Sequence, residues 1–367
     1  MMKKILVVGQ TPPPYGGQAI MIKYMLDSQY TDIKMYNVRM CFSREFDVRG
    51  KFSVYKILHV FAIIYRIWIM KFRHKINVMY YPPSSSPKIA VLRDVVILGC
   101  TRFLFKKIVF HFHAAGISEE LPKYNIFLRT ISYNILKKPH LAITSSEFNP
   151  NDGVYLQARK NKIIPLGIPD NNMIEARKAV GSKGKLNVLF IGLLNSTKGE
   201  GYVLDAIYFL QKKGMNIDFY LAGKFESEEY KKVFFDKVEQ YNLIENVHYK
   251  GIVKGKDKHD LFLSSDVFCF PSFFSSESFG IVLLEAMMYQ MPLIASRWRG
   301  IQSVVKNGEN GYLVDVQNSE QIAIALEFLY TNRNLLQAMS QKSRQMFCKE
   351  YVLSKYITRM EKALNNI

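Results

Sequence analysis

The strongest constraint on the fold is an alternation. Short apolar runs that end in glycine or a small polar loop are separated by longer segments with a helical apolar face. Lys3–Gly9 and the stretches 107–113, 186–192, 219–223, 247–253 and 266–271 are too short for typical helices and rich in Val, Ile and Phe, which suits buried strands. Residues 228–241 form an amphipathic segment, and Ile281–Met288 carries helix formers that stop before Pro292. Strands apolar on both faces need helices on both sides, so each sheet is expected to be parallel and doubly wound, an α/β architecture. The pattern runs through both halves, and 367 residues suffice for two α/β cores. The expected division is 1–175 and 183–349, joined through the polar, glycine-containing segment 170–185. No self-similarity at the periods of solenoid repeats is visible.

Within this frame the segment Glu277-Ser-Phe-Gly-Ile-Val-Leu-Leu-Glu285 stands out. The strand at 266–271 leads through the polar loop at Ser275 and Ser276 to a helix that starts after Gly280, placing Glu277 in the loop and Glu285 on the helix. Unpaired N–H groups and the positive dipole end at such a helix start suit a diphosphate, and Gly280 lets a ligand approach the main chain. The carboxylates, roughly 10 Å apart along a helix axis, suit two sugar rings, because ionised carboxylates accept hydrogen bonds from hydroxyls. A plainer alternative makes Glu277 a first-turn dipole partner and Glu285 a surface charge. The flanking residues favour the sugar site: Glu, seven residues and Glu, with Phe-Gly after the first, resembles the retaining glycosyltransferases of GT-B fold, family 4 (glycosyl transferases group 1).

The resemblance can be followed along most of the chain. It implies two Rossmann-like domains facing across a cleft, the first an acceptor-binding domain completed by a C-terminal helix at about 350–367 and the second a donor-binding domain. It implies that Gly16 and Gly17, after the Pro12-Pro-Pro-Tyr turn, close over the donor and acceptor. His113, at the mouth of the 107–113 strand, would lie near the donor sugar as a catalytic residue, whereas His111, on the same face by period two, reads as a core histidine. Gly167 matches a cleft-lining turn. In relatives an Arg follows the first glycine of the loop after 186–192 and a Lys precedes the second. Here Leu193 follows Gly192, while Lys198 precedes Gly199 and is the expected phosphate cation. The lost Arg shifts the burden to Lys198 and the helix N-terminus. Val253 is implied at the base, Ser278, Phe279, Gly280 and Ile281 at the diphosphate, Glu277 as a catalytic residue on the donor sugar, and Glu285 on the ribose.

The implied reaction moves a glycosyl group from a nucleotide diphosphate sugar, a co-substrate, to a hydroxyl of a glycan or lipid-linked acceptor, with retention. Attack is expected on the front face, with the leaving phosphate oxygen taking the acceptor proton. An Asp-x-Asp metal signature is missing, so neither a metal nor another cofactor is expected. Two alternatives stay open: a nucleotide-sugar 2-epimerase of the same fold, and a catalytically idle membrane scaffold suggested by Leu193.

Fifty Lys plus Arg against 31 Asp plus Glu give a net charge of +19, which points to an anionic partner. Bases and large apolar residues alternate through 51–75, where the apolar run is too short, and Arg66 too central, for a membrane span. Either this is a core helix whose bases snorkel, or it lies in the headgroup layer of an anionic inner leaflet. Nucleic acid is not expected, since no motif for it is present. Cys41, Cys100, Cys269 and Cys348 show no metal-ligand pairing and suit a reducing compartment. Without a signal-peptide core at the start, the expected location is cytoplasmic, and peripheral on the inner face of the membrane if 51–75 lies in the headgroup layer. The sequence does not fix an oligomeric state.

Overall fold

The computed structural model describes residues 2–42, 54–171 and 184–367. The chain separates into two compact units, residues 1–168 with 353–367, and residues 169–352. The expected boundary at 175 and most of the expected linker fall outside the described residues, as do residues 51–53 of the basic segment.

Each unit is built on a six-stranded sheet. The first contains β1 (Lys3–Gly9), β2 (Ile33–Arg39), β3 (Val78–Tyr81), β4 (Lys107–Phe112), β5 (Leu141–Thr144) and β6 (Asn161–Ile163), in the order β2-β1-β3-β4-β5-β6. The second contains β7 (Leu186–Ile191), β8 (Ile217–Ala222), β9 (Val247–Tyr249), β10 (Val267–Phe270), β11 (Leu293–Ser296) and β12 (Gly311–Val314), in the order β12-β11-β10-β7-β8-β9. Every pairing is parallel. The cause is visible in burial. Ile5 to Val8, all of β3 and all of β10 are buried, and strands apolar on both faces are stable only between helical layers. The edge strand β6 is exposed throughout, as a final strand with one neighbour can be.

The strand orders determine where ligands can sit. In the second unit the chain winds from β7 outward to β9 and then returns to lay β10 on the other side of β7. The loops after β7 and β10 therefore diverge from one point, and such switch points are where open parallel sheets leave a crevice at their C-terminal ends. In the first unit the same reversal falls between β1 and β3, with β4 next. Helix Ile281–Met288 forms where the sequence predicts it, and helix Glu228–Gln240 begins where Ser227 Oγ accepts a bond from Tyr230 N at 3.1 Å. The last helix, Leu353–Asn365, belongs to the first unit. Lys3 Nζ donates to its Leu364 and Asn365 carbonyls at 2.8 and 3.0 Å, the placement a cation favours at a helix C-terminus.

Candidate functional site

The second unit assembles its site from the two loops that leave the switch point. After β7, Asn195 Oδ1 accepts from Thr197 N, Thr197 Oγ1 and Lys198 N, a side-chain turn that holds the loop open ahead of helix Glu200–Lys212. Gly199 links this loop to the one after β10. Its φ is +89°, and a Cβ there would stand 2.5 Å from the Pro271 carbonyl oxygen, so only glycine allows the approach. Phe273 N donates to Thr197 O at 2.9 Å, and Trp298 Nε1 donates to Phe274 O at 2.9 Å, which fixes the far side of the second loop.

This seam brings together residues 79 positions apart: Lys198 Nζ lies 2.6 Å from Glu277 Oε2, with both side chains largely buried. The ammonium also sits 4.5 Å from the Phe274 ring centroid and 5.6 Å from that of Phe270. Ring faces and the carboxylate offset part of the cost of taking the charge out of water. Behind Lys198, Glu200 is fully buried. Burial pushes its carboxyl up to about 8, against the opposing pull of its own backbone N–H, Tyr230 and Lys198. At neutral pH it is therefore mostly an uncharged acid, and Glu277 is the anion that faces Lys198.

Gly280, at φ 77°, turns the chain into helix Ile281–Met288, whose first N–H groups have no partner within the helix. Ser278 is buried. Phe279 is 1% exposed, its ring centroid 6.0 Å from that of Tyr351, so its side chain is committed to packing. Glu285 lies one turn into the helix, and both its oxygens accept from Lys258, at 2.6 and 2.8 Å. Lys258 belongs to helix Gly255–Ser264, which follows the turn containing Val253. Gly192 and Gly251 flank Gly223: Gly192 N donates to Ala222 O at 3.0 Å, and Gly223 N donates to Gly251 O at 2.7 Å. The partly buried Val253 is two residues beyond Gly251. Among the described residues no group of three or more His, Cys, Asp or Glu could hold a metal ion.

The first unit places its candidates separately. Gly16 precedes helix Gly17–Asp27, and its carbonyl accepts from Ile20 N at 3.0 Å. His111 and His113 stack at 4.0 Å between ring centroids, and Tyr80 on the neighbouring β3 joins them. Its hydroxyl lies 2.7 Å from His111 Nδ1 and 3.1 Å from His113 Nε2. One hydroxyl between two neutral rings donates to one and accepts from the other, which couples their tautomers. Burial lowers His113 to about 3 and holds His111 well below the usual imidazole range, with His113 adding to the effect on His111. His113 keeps some accessible surface, yet its ring is uncharged at any physiological pH.

Three participants escaped the sequence reading. Lys258 had a faint signal, the lysine run at 254, 256 and 258 directly after Val253. Glu200 had only its place directly after Lys198-Gly199 as a signal. Tyr80 had none, because its link to the histidines depends on β3 pairing with β4.

Residues 172–346 match the family model for glycosyl transferases group 1. The chain is 31% identical over 172 residues to a phosphatidyl-myo-inositol mannosyltransferase of Mycobacterium leprae, covering 46% of this chain and 44% of that one. It is 26% identical over 200 residues to the capsular polysaccharide biosynthesis glycosyltransferase CapM of Staphylococcus aureus, covering 51% of each. These matches span about half the length of the curated relatives. In fold, the whole chain resembles HepE of Anabaena, solved in complex with UDP and glucose, with a TM-score of 0.72, 16% identity and full coverage of both chains. The two six-stranded parallel sheets are those of GT-B glycosyltransferase structures. The family match falls within the second unit, which spans residues 169–352.

Proposed function

We propose that the protein is a retaining, metal-independent glycosyltransferase of family 4. It transfers a sugar from a nucleotide diphosphate sugar to a hydroxyl of a glycan or lipid-linked acceptor, in cell-surface polysaccharide or glycolipid assembly at the cytoplasmic face of the membrane. The observation that carries the proposal is the Lys198–Glu277 pair beside the start of helix Ile281–Met288. A cation and unpaired N–H groups suit a diphosphate, and an adjoining carboxylate suits sugar hydroxyls. The names of the mycobacterial and staphylococcal relatives support the lipid and polysaccharide settings.

In this mechanism Lys198 and the N–H groups of Ile281 and its neighbours hold the diphosphate, and Glu277 orients the donor sugar. The acceptor oxygen attacks the anomeric carbon from the face the phosphate leaves, and the leaving phosphate oxygen takes its proton. Developing charge on that phosphate meets Lys198, so stabilisation grows as the bond breaks. Glu285, held by Lys258, accepts from the ribose hydroxyls, and Val253 meets the base through its main chain. His113, as a neutral ring, contributes a hydrogen bond to the donor sugar without exchanging a proton with it.

A thermal-shift panel of nucleotide sugars identifies the donor, since a ligand bound to the folded state raises its melting point. With that donor, the protein is expected to release nucleoside diphosphate slowly in the absence of acceptor, and Glu277→Ala to reduce release by about 10²–10³-fold. If no nucleotide sugar raises the melting point and none is hydrolysed, the proposal fails.

A further inference from the structure

Helix Val54–His74 presents two apolar faces, and the core uses one. Ile63 and Ile67 are fully buried, and Val60, Ile64 and Met70 pack against the same core cluster. On the outside, Leu58, Phe61, Tyr65 and Phe72 are each 60–67% exposed, with Trp68 between them at 38%. Their spacing of three and four residues makes a continuous stripe, roughly 20 Å long at the helical rise. Phe103, 69% exposed, extends it sideways, its ring centroid 5.9 Å from that of Trp68 in an edge-to-face contact. Side chains packed only for the interior of this unit would leave a polar outer face, and a contiguous patch of this kind marks a contact surface.

The charges around the stripe have one sign. Exposed Arg66, Arg73, Lys75 and Lys106 border it, and among the described residues none of them is in an ion pair. From residue 51 to 118 the sequence has one acid, Asp94, which is fully buried and held by Tyr81, Arg93 and Ser84 N. The bases act on one another: Lys106 helps to lower Lys71, behind burial, and Arg66 does the same to His59. A second copy of this face would repel it. No described helix is long and apolar enough to cross a membrane. An acidic bilayer surface meets all of these demands, taking the aromatic and aliphatic side chains into its interface and setting its phosphates against the bases.

We infer that the outer stripe of helix Val54–His74, with Phe103, docks the first unit on an anionic lipid bilayer, the helix lying in the headgroup layer. The inference gives the proposed function's membrane setting a specific face, but the docking needs no donor, acceptor or turnover. The test is sedimentation of the full chain with vesicles of phosphatidylcholine alone and of phosphatidylcholine with phosphatidylglycerol. Binding is expected only to the acidic vesicles and is expected to weaken with salt. Phe61→Ser with Phe72→Ser, and separately Arg66→Gln with Arg73→Gln, should each reduce binding at least tenfold while leaving the melting point and donor hydrolysis unchanged. Equal binding to both vesicle types, or binding indifferent to both double variants, overturns the inference. So does a concentration-dependent dimer abolished by Phe61→Ser with Phe72→Ser, which would assign the stripe to a second copy. Lost hydrolysis with intact docking would count against the proposed reaction alone.

Discussion

The two units share a sheet size and a parallel winding, yet they arrange polar groups at their switch points in opposite ways. In the second unit opposite charges are paired, Lys198 with Glu277 and Lys258 with Glu285. In the first, uncharged rings and a hydroxyl are joined, His111 and His113 through Tyr80. Charged pairs can exchange partners with an incoming phosphate or sugar at little net cost, because the ligand brings equivalent charges and hydroxyls. A neutral, buried cluster instead fixes direction, since its donors and acceptors are committed by geometry and cannot be re-formed by a proton from solvent. The second unit's switch point thus carries an adaptable electrostatic surface, and the first unit's a fixed hydrogen-bonding cluster.

Glu200 is the exception that can break this contrast, a neutral acid behind the charged pair. Its folded value, about 8, lies above its ordinary one, so the folded state holds the proton more tightly. Its contribution to stability is then complete below about pH 4.5 and is lost as pH rises to about 8. The loss is on the order of 5 kcal/mol at most. Glu200→Gln is expected to flatten the fall in melting temperature between pH 5 and 9 and to be more stable than the parent at pH 9. A parallel fall in both proteins would mean that Glu200 is ionised and belongs with the charged pairs.

Tyr80→Phe sharpens the other side. Loss of the hydroxyl leaves ring nitrogens of His111 and His113 without their shared partner, at a cost of about 1–3 kcal/mol in urea unfolding. Because no charge is involved, that cost should be the same at low and high salt. A strongly salt-dependent difference would show that a histidine is charged and that the cluster is not neutral.

The smallest expected effect is at Lys258. In the proposed mechanism it holds Glu285 on the ribose and not at the reacting atoms, so Lys258→Met should raise KM for the donor about tenfold, roughly 1.4 kcal/mol. The kcat should stay near the parent's. A fall in kcat with unchanged KM would place Lys258 at the leaving phosphate instead.

Much of the second unit was legible because its chemistry is nearly contiguous. Strand, loop, Glu277, Gly280, helix and Glu285 follow one another within 20 residues of β10, and local periodicity locates each. Lys198 was picked out by the resemblance, as the lysine before the second glycine of the loop after β7. Its bond to Glu277 was not, since that contact requires Gly199 to press against Pro271 across two loops. The first unit was less readable. His111 and His113 could be set on one face by period two, but the residue that joins them lies 31 positions away from His111 on another strand.

The double character of helix Val54–His74 marks the same divide. From composition alone its bases and aromatics are equally consistent with a core helix and with a surface one, and the fold makes it both, burying Ile63 and Ile67 while leaving Phe61 and Phe72 outside. Periodicity, glycine placement and charge count are properties of neighbouring residues, so the chain's order alone determined the α/β class, the strand-loop-helix units and the basic excess. Strand order and the packing of one loop on another depend on the sum of many distant contacts. These selected Tyr80 and Lys258, paired Lys198 with Glu277, and chose which side of the basic helix faces water.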